Sequence, residues 1–174
     1  MNRVRYLPVA LLCAVLALAA CSKKVIPPKD VKVGDGFFTV TVPGKLEFAC
    51  RDRPGMNVGT VSHVCVGQTD FSMFYTVSSK LQDNDAMTPE RWVDNATNYA
   101  AQLMDSSVAS SRAIESEGGP GKDFKLRTLR GAAWGRAYAA YGQLVFVIAV
   151  AKPGIPDNDD IQAFVGSLRP IKPK

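Results

Sequence analysis

Apolar and polar positions alternate along much of this chain, and the breaks in that alternation mark its elements. GFFTVTV (Gly36 to Val42) is rich in β-branched and aromatic residues and stops at Pro43-Gly44, which predicts a strand and a turn. KLEFAC and TVSHVCV flank RDRPGMNVG, predicting a hairpin folded about Asn57-Val58 that sets Cys50 opposite Cys65. FSMFYTV (Phe71 to Val77) predicts a further strand. At Thr88-Pro89-Glu90 the pattern changes to a helix start, with a capping hydroxyl, proline at the first helical position and an acid in the first turn. Trp92, Val93, Ala96, Tyr99, Ala100 and Leu103 then recur at helical spacing.

Ser106 to Ile114 alternates weakly and predicts a strand, Gly118 to Gly121 a turn, and KDFKLRTL (Lys122 to Leu129) a cleanly alternating strand. AAWGRAYAAY stays open between two states: Trp134, Tyr138 and Tyr141 fit a helix, whereas Gly131, Gly135 and Gly142 fit a strand between turns. LVFVIAV (Leu144 to Val150) has no polar face, the mark of a central strand covered on both sides. After Pro153-Gly154, Asp157 is placed to cap a short last helix carrying Ile161, Phe164, Val165 and Leu168. A doubly buried strand needs cover on both faces, and helices near 89–104 and 157–167 can supply it, helped by N-terminal segments. The expected class is α+β, an αβα sandwich around a mainly antiparallel sheet.

The N-terminal pattern is of another kind. Arg3 and Arg5 precede an unbroken apolar run, Leu7 to Ala20, which is short for a bilayer span of about 20 residues. It ends at Leu18-Ala19-Ala20-Cys21, which looks like a bacterial lipobox, preferred over a plain signal peptide or an uncut membrane helix. In such signals the cysteine is acylated and the leader is cut before it, and two or more acyl chains anchor stably where one is marginal. Expected boundaries are therefore a leader at 1–20, a tether at 21–35 and one domain at 36–171. The tether contains KKVIPPKDVKV (Lys23 to Val33), whose lysines suit an anionic lipid surface. Ser22 after the cysteine resembles the enterobacterial sorting pattern for the outer membrane, facing the periplasm.

Composition narrows the rest. The whole chain carries 21 Lys+Arg against 16 Asp+Glu, and loss of Arg3 and Arg5 with the leader leaves 19 against 16, a net charge of +3. That surplus singles out no partner, and nucleic acid is not expected outside the cytoplasm. Cys13 leaves with the leader and Cys21 is the lipidation site, so Cys50 and Cys65 remain, and an oxidising compartment favours their pairing.

GFFTVTVPGK, the tryptophan-bearing helix after TPE, GGPGKDF, and a buried strand followed by a helix with Phe-x-x-Ser-Leu (Phe164 to Leu168) together resemble the PsbP-like domains. That group includes the extrinsic subunit of photosystem II and bacterial lipoproteins of the DcrB kind. The resemblance spans Gly36 to Pro170 and implies an αβα sandwich with a role in binding or assembly. It carries over no active site and no cofactor.

Candidate chemistry is sparse. His63, the only histidine, stands two residues from Cys65, so a strand would put both on one face, near Cys50. Two thiolates and an imidazole suit zinc or copper(I), but a bridged cysteine pair cannot ligate, and a disulfide beside a surface histidine is the preferred expectation. A Ser–His–Asp arrangement would have to use His63, and no G-x-S-x-G elbow is present. SEGGPGKD lacks the phosphate-loop spacing, DNDD (Asp157 to Asp160) lacks calcium-loop order, and Asn95-Ala96-Thr97 is a glycosylation sequon in letters only. No enzyme is expected. The surface singled out is the hairpin KDFKLRTL-RG-AAWGRAY. With Arg130-Gly131 as its turn, Arg127 would oppose Trp134 and stack on its ring, Lys125 would oppose Arg136 and Asp123 would oppose Tyr138, all on one face. Facing Lys125 and Arg136 would repel unless an anion or acid lay between them, so this face is a candidate for an acidic partner or an anionic ligand; internal neutralisation by Asp123, Glu90 or Asp94 is the simpler expectation.

Overall fold

A computed structural model, which describes residues 27–55, 60–81, 87–129, 131–153 and 159–172, puts the strand Gln143–Ala151, which contains the apolar run Leu144 to Val150, in the middle of a seven-stranded sheet, buried at every position. Among the described residues the order of elements is β1 (Lys29–Val33), β2 (Phe38–Val42), β3 (Ala49–Pro54), β4 (Val61–Gln68), β5 (Ser72–Lys80), α1 (Pro89–Leu103), β6 (Ser106–Ser116), β7 (Gly119–Thr128), β8 (Gly131–Ala140), β9 (Gln143–Ala151), α2 (Asp159–Ser167) and β10 (Arg169–Pro170). The large sheet runs β3-β4-β5-β9-β8-β7-β6 with every neighbouring pair antiparallel. A second, antiparallel sheet has the order β1-β2-β10. The class is α+β.

Alternation along β9 divides the interior in two. Leu144, Phe146, Ile148 and Val150 face one cluster, which α1 closes with Trp92, Val93, Ala96 and Ala100. Val145, Val147, Ala149 and Ala151 face the other, closed by Phe38, Val40 and Val42 of β2 and by Ile161, Phe164 and Leu168 at α2. The apolar run without a polar face is thus covered on both sides, as expected. α1 begins as its sequence dictates: the Thr88 hydroxyl accepts from the Arg91 N–H at 3.4 Å, and Pro89 takes the first turn.

Several expectations need correction. Lys29–Val33, assigned to the tether, is a strand paired with β2, Val31 opposite Val40. Its alternating Val31 and Val33 pack on the second cluster, a signal hidden by the basic, proline-rich text around them. KLEFAC is not a strand throughout: β3 starts only at Ala49 and runs on through Arg53 and Pro54. Leu46 is instead 1% exposed and plugs the second cluster. The turn set at Gly118 to Gly121 is tighter, since β7 already starts at Gly119. AAWGRAYAAY resolves as strand, with the end of β8 followed by a turn at Tyr141-Gly142. The turn about Asn57-Val58, the Asp157 cap, and the leader with Cys21 lie outside the described residues.

The glycines within β7 and β8 are packing residues. Gly135 lies opposite Phe124, and a Cβ there would overlap the Phe124 ring; Gly121 stands in the same relation to the Tyr138 ring on the other face. Gly135→Ala should therefore destabilise the fold by about 1–3 kcal/mol through overpacking. Combining it with Phe124→Leu should recover part of that loss in a urea-unfolding double-mutant cycle. Strict additivity of the two losses would contradict the packing relation.

Candidate functional site

The second face of the large sheet is wider than what covers it. The small sheet and α2 lie over its centre, and polar side chains collect on the two flanks left open. On one flank β6, β7 and β8 meet the C-terminal half of α2 in a cleft of about 380 Å³, lined by Arg112, Asp123, Lys125, Trp134, Arg136 and Gly166. On the other, β3, β4 and β5 meet β1 and the Gly34–Gly36 turn in a cleft of about 540 Å³, whose walls include Val31, Val33, Cys50, Asp52, His63 and Cys65.

The first cleft holds most of the face chosen from the sequence, in a different register. Thr128 pairs with Gly131, and the Thr128 hydroxyl donates to the Gly131 carbonyl at 3.1 Å. The expected register had paired Leu129 with Ala132, but Leu129 is 93% exposed and lies beyond the last paired residues, Thr128 and Gly131. The slip is two residues, so each side chain keeps its face and changes its neighbour. Lys125 opposes Trp134, Asp123 opposes Arg136, Arg127 opposes Ala132 and Gly121 opposes Tyr138. The supposed Lys125–Arg136 repulsion does not arise. Arg127 does not stack on Trp134; Lys125 does, its Nζ 5.2 Å from the ring centroid. Tyr138 is 5% exposed and belongs to the second cluster, where burial pushes its hydroxyl pKa up against the opposing pull of Arg136.

Asp123 organises this cleft. Arg136 donates to it from Nε at 2.6 Å and Nη2 at 3.1 Å, and Arg112 from Nη2 at 3.0 Å. Burial pushes the Asp123 carboxyl up, but the hydrogen bonds and charges of Arg136 and Arg112 outweigh it and hold the group below the usual carboxylate range. The remaining Arg136 nitrogen, Nη1, donates to the Gly166 carbonyl at 2.7 Å, tying β8 to the end of α2. Internal neutralisation by Asp123 is what the geometry contains, and Asp94 pairs with Lys122 on the opposite face. Three cations against one carboxylate still leave the cleft basic, with Lys125 its least engaged charge.

In the second cleft Cys50 and Cys65 are directly opposed and bonded, with S–S 2.13 Å. Two residues along the same face, Asp52 opposes His63 and holds its Nδ1 at 2.9 Å. One donor atom each from Cys50, His63 and Cys65 lie within 4.8 Å of one another. While bridged, the two sulfurs offer no thiolate to a metal. Ser78 faces His63 from β5, which aligns Asp52, His63 and Ser78 across three strands, but the hydrogen bond of the ring runs to Asp52.

Arg112 and Asp52 were not singled out from the sequence. Asp52 had a usable signal, since it follows Cys50 by the spacing that separates His63 from Cys65. Arg112 had none, because its meeting with Asp123 depends on a bulge between Val108 and Ser110. No helix among the described residues is long and apolar enough to cross a membrane. No family model matches the sequence, and comparison with the curated proteins finds no match.

Two outcomes follow. Replacing Cys50 and Cys65 together by alanine should cost about 3 kcal/mol, the closure entropy of a loop of this size, read by urea unfolding under non-reducing conditions. For Asp123 the folded-state pKa is depressed, so its stabilisation is full above the unfolded value of about 3.9 and is lost as pH falls through the folded value. Asp123→Asn should cost about 1 kcal/mol at neutral pH, a modest figure because the group is partly exposed, and the gap to wild type should close below about pH 4. A gap that widens in acid would contradict the Asp123–Arg136 assignment.

Proposed function

We propose that the protein is a lipid-anchored protein of the cell envelope, carried at the outer membrane and facing the periplasm, whose domain is a non-catalytic binding module of the PsbP-like kind. The observation that carries this reading is the block Leu18-Ala19-Ala20-Cys21 at the end of the apolar run Leu7 to Ala20. The order of elements supports the likeness: a tryptophan-bearing helix on one face of an antiparallel sheet, and a doubly buried strand leading into a helix on the other. Since β1 begins at Lys29, residues 22–28 can span at most about 25 Å from an anchored Cys21, which keeps the domain against the bilayer surface.

The basic cleft is the surface offered to a protein partner, and its surplus of Arg112, Lys125 and Arg136 over Asp123 favours an acidic segment. Lys125 is the residue to test, since Arg136 is already held by Asp123 and the end of α2.

The mass of the intact protein purified from membranes tests the anchor. A chain lacking residues 1–20 and carrying acyl mass on Cys21 is expected, and Cys21→Ser should release the protein from the membrane fraction. An unprocessed, unacylated mass would end the anchored reading. For the partner, a photo-crosslinking residue at Lys125 should trap an acidic protein in intact cells, while the same residue at Glu90, on the α1 side, should not; equal trapping from both positions would remove the cleft from the proposal.

A further inference from the structure

We infer that Cys50, His63 and Cys65 form a redox-gated metal site: bridged, the cysteines are a structural staple, and reduced, they join His63 in holding one thiophilic cation, with zinc(II) the fitting probe. This inference is independent of the binding-module reading, which uses the opposite flank of the sheet.

Three observations converge. The three donors come from two adjacent strands with all side chains on one face, so backbone pairing fixes their approach. Their donor atoms already lie within 4.8 Å of one another, whereas ligands at zinc bond lengths in a tetrahedron are about 3.5–3.8 Å apart. Finally, His63 Nδ1 lies 2.9 Å from the Asp52 carboxylate, the kind of orienting contact that metal-bound histidines usually have. Three protein ligands leave the fourth tetrahedral position open, unlike a closed four-ligand structural centre.

Access is provided as well. Cys50 is exposed, while Cys65 is 8% exposed, so an attacking thiolate meets Cys50 first. The step is thiol–disulfide exchange with a dithiol protein. The dithiol gives two electrons and two protons, leaves as its own disulfide, and Cys50 and Cys65 become thiols. Binding the cation then displaces both thiol protons to solvent. Oxidation by a disulfide donor reverses the sequence and expels the metal.

The test uses the protein as purified from membranes in detergent, either oxidised or reduced with a phosphine and freed of it, dialysed against zinc(II) and measured by elemental analysis, with affinity read by chelator competition. One zinc per reduced chain is expected, and none on the oxidised chain. His63→Asn should weaken binding by more than tenfold, and Asp52→Asn by about tenfold through loss of ring orientation. Far-UV circular dichroism should show the reduced chain still folded, because neither core cluster depends on the bridge. No stoichiometric zinc on the reduced chain, an affinity unchanged in His63→Asn, or a fold lost on reduction and not recovered with zinc would each overturn the inference.

Discussion

Burial of one strand on both of its faces is the constraint from which the rest of this architecture follows. A strand such as Gln143–Ala151 has apolar side chains above and below the sheet plane, and water must be excluded from both. One helix cannot do that. α1 closes one side with a tryptophan and a row of small alanines. The other side needs two pieces, α2 and the small sheet, because the nine-residue helix is too short to span a seven-stranded surface. The N-terminal strands, the last helix and the final two-residue strand are joined through β2, so the chain ends cooperate in covering the middle.

That division of labour decides where chemistry can occur. On the α1 side the helix packs over β6 to β9, and on the other side cover is incomplete at both margins. At each margin a carboxylate is held against a cationic or titratable partner: Asp123 between two arginines, and Asp52 against the ring of His63. The two margins differ in character. One is rigidified by an arginine that reaches both a strand carboxylate and a helix-end carbonyl. The other is held by a covalent bond that chemistry can open and close.

Much of this was legible in the sequence, for reasons that can be named. The Thr-Pro-Glu start of α1 is a local signal and needs no tertiary partner, so it appears where it was read. The pairing of Cys50 with Cys65 follows from counting residues between two matched runs. What escaped was set at a distance. Val31 and Val33 read as linker until β2 is there to pair with them. The β7–β8 register missed by two because the choice between Leu129–Ala132 and Thr128–Gly131 rests on turn geometry. Since side chains alternate with period two, that miss kept the faces right and the neighbours wrong.

The margins of the sheet are also its edges, and an edge strand offers unpaired backbone to any other strand that drifts by. Here each edge is blunted. β3 carries Arg51, Asp52, Arg53 and then Pro54, which has no N–H to give, and its cystine fixes it to β4 so that it cannot slide. β6 is broken by a bulge between Val108 and Ser110, followed by Arg112. Cys50, Asp52 and Arg112, which line the two clefts, therefore also help to keep the molecule from growing edge to edge, so a substitution that neutralises the β3 charges would be felt first as aggregation, before any loss of fold.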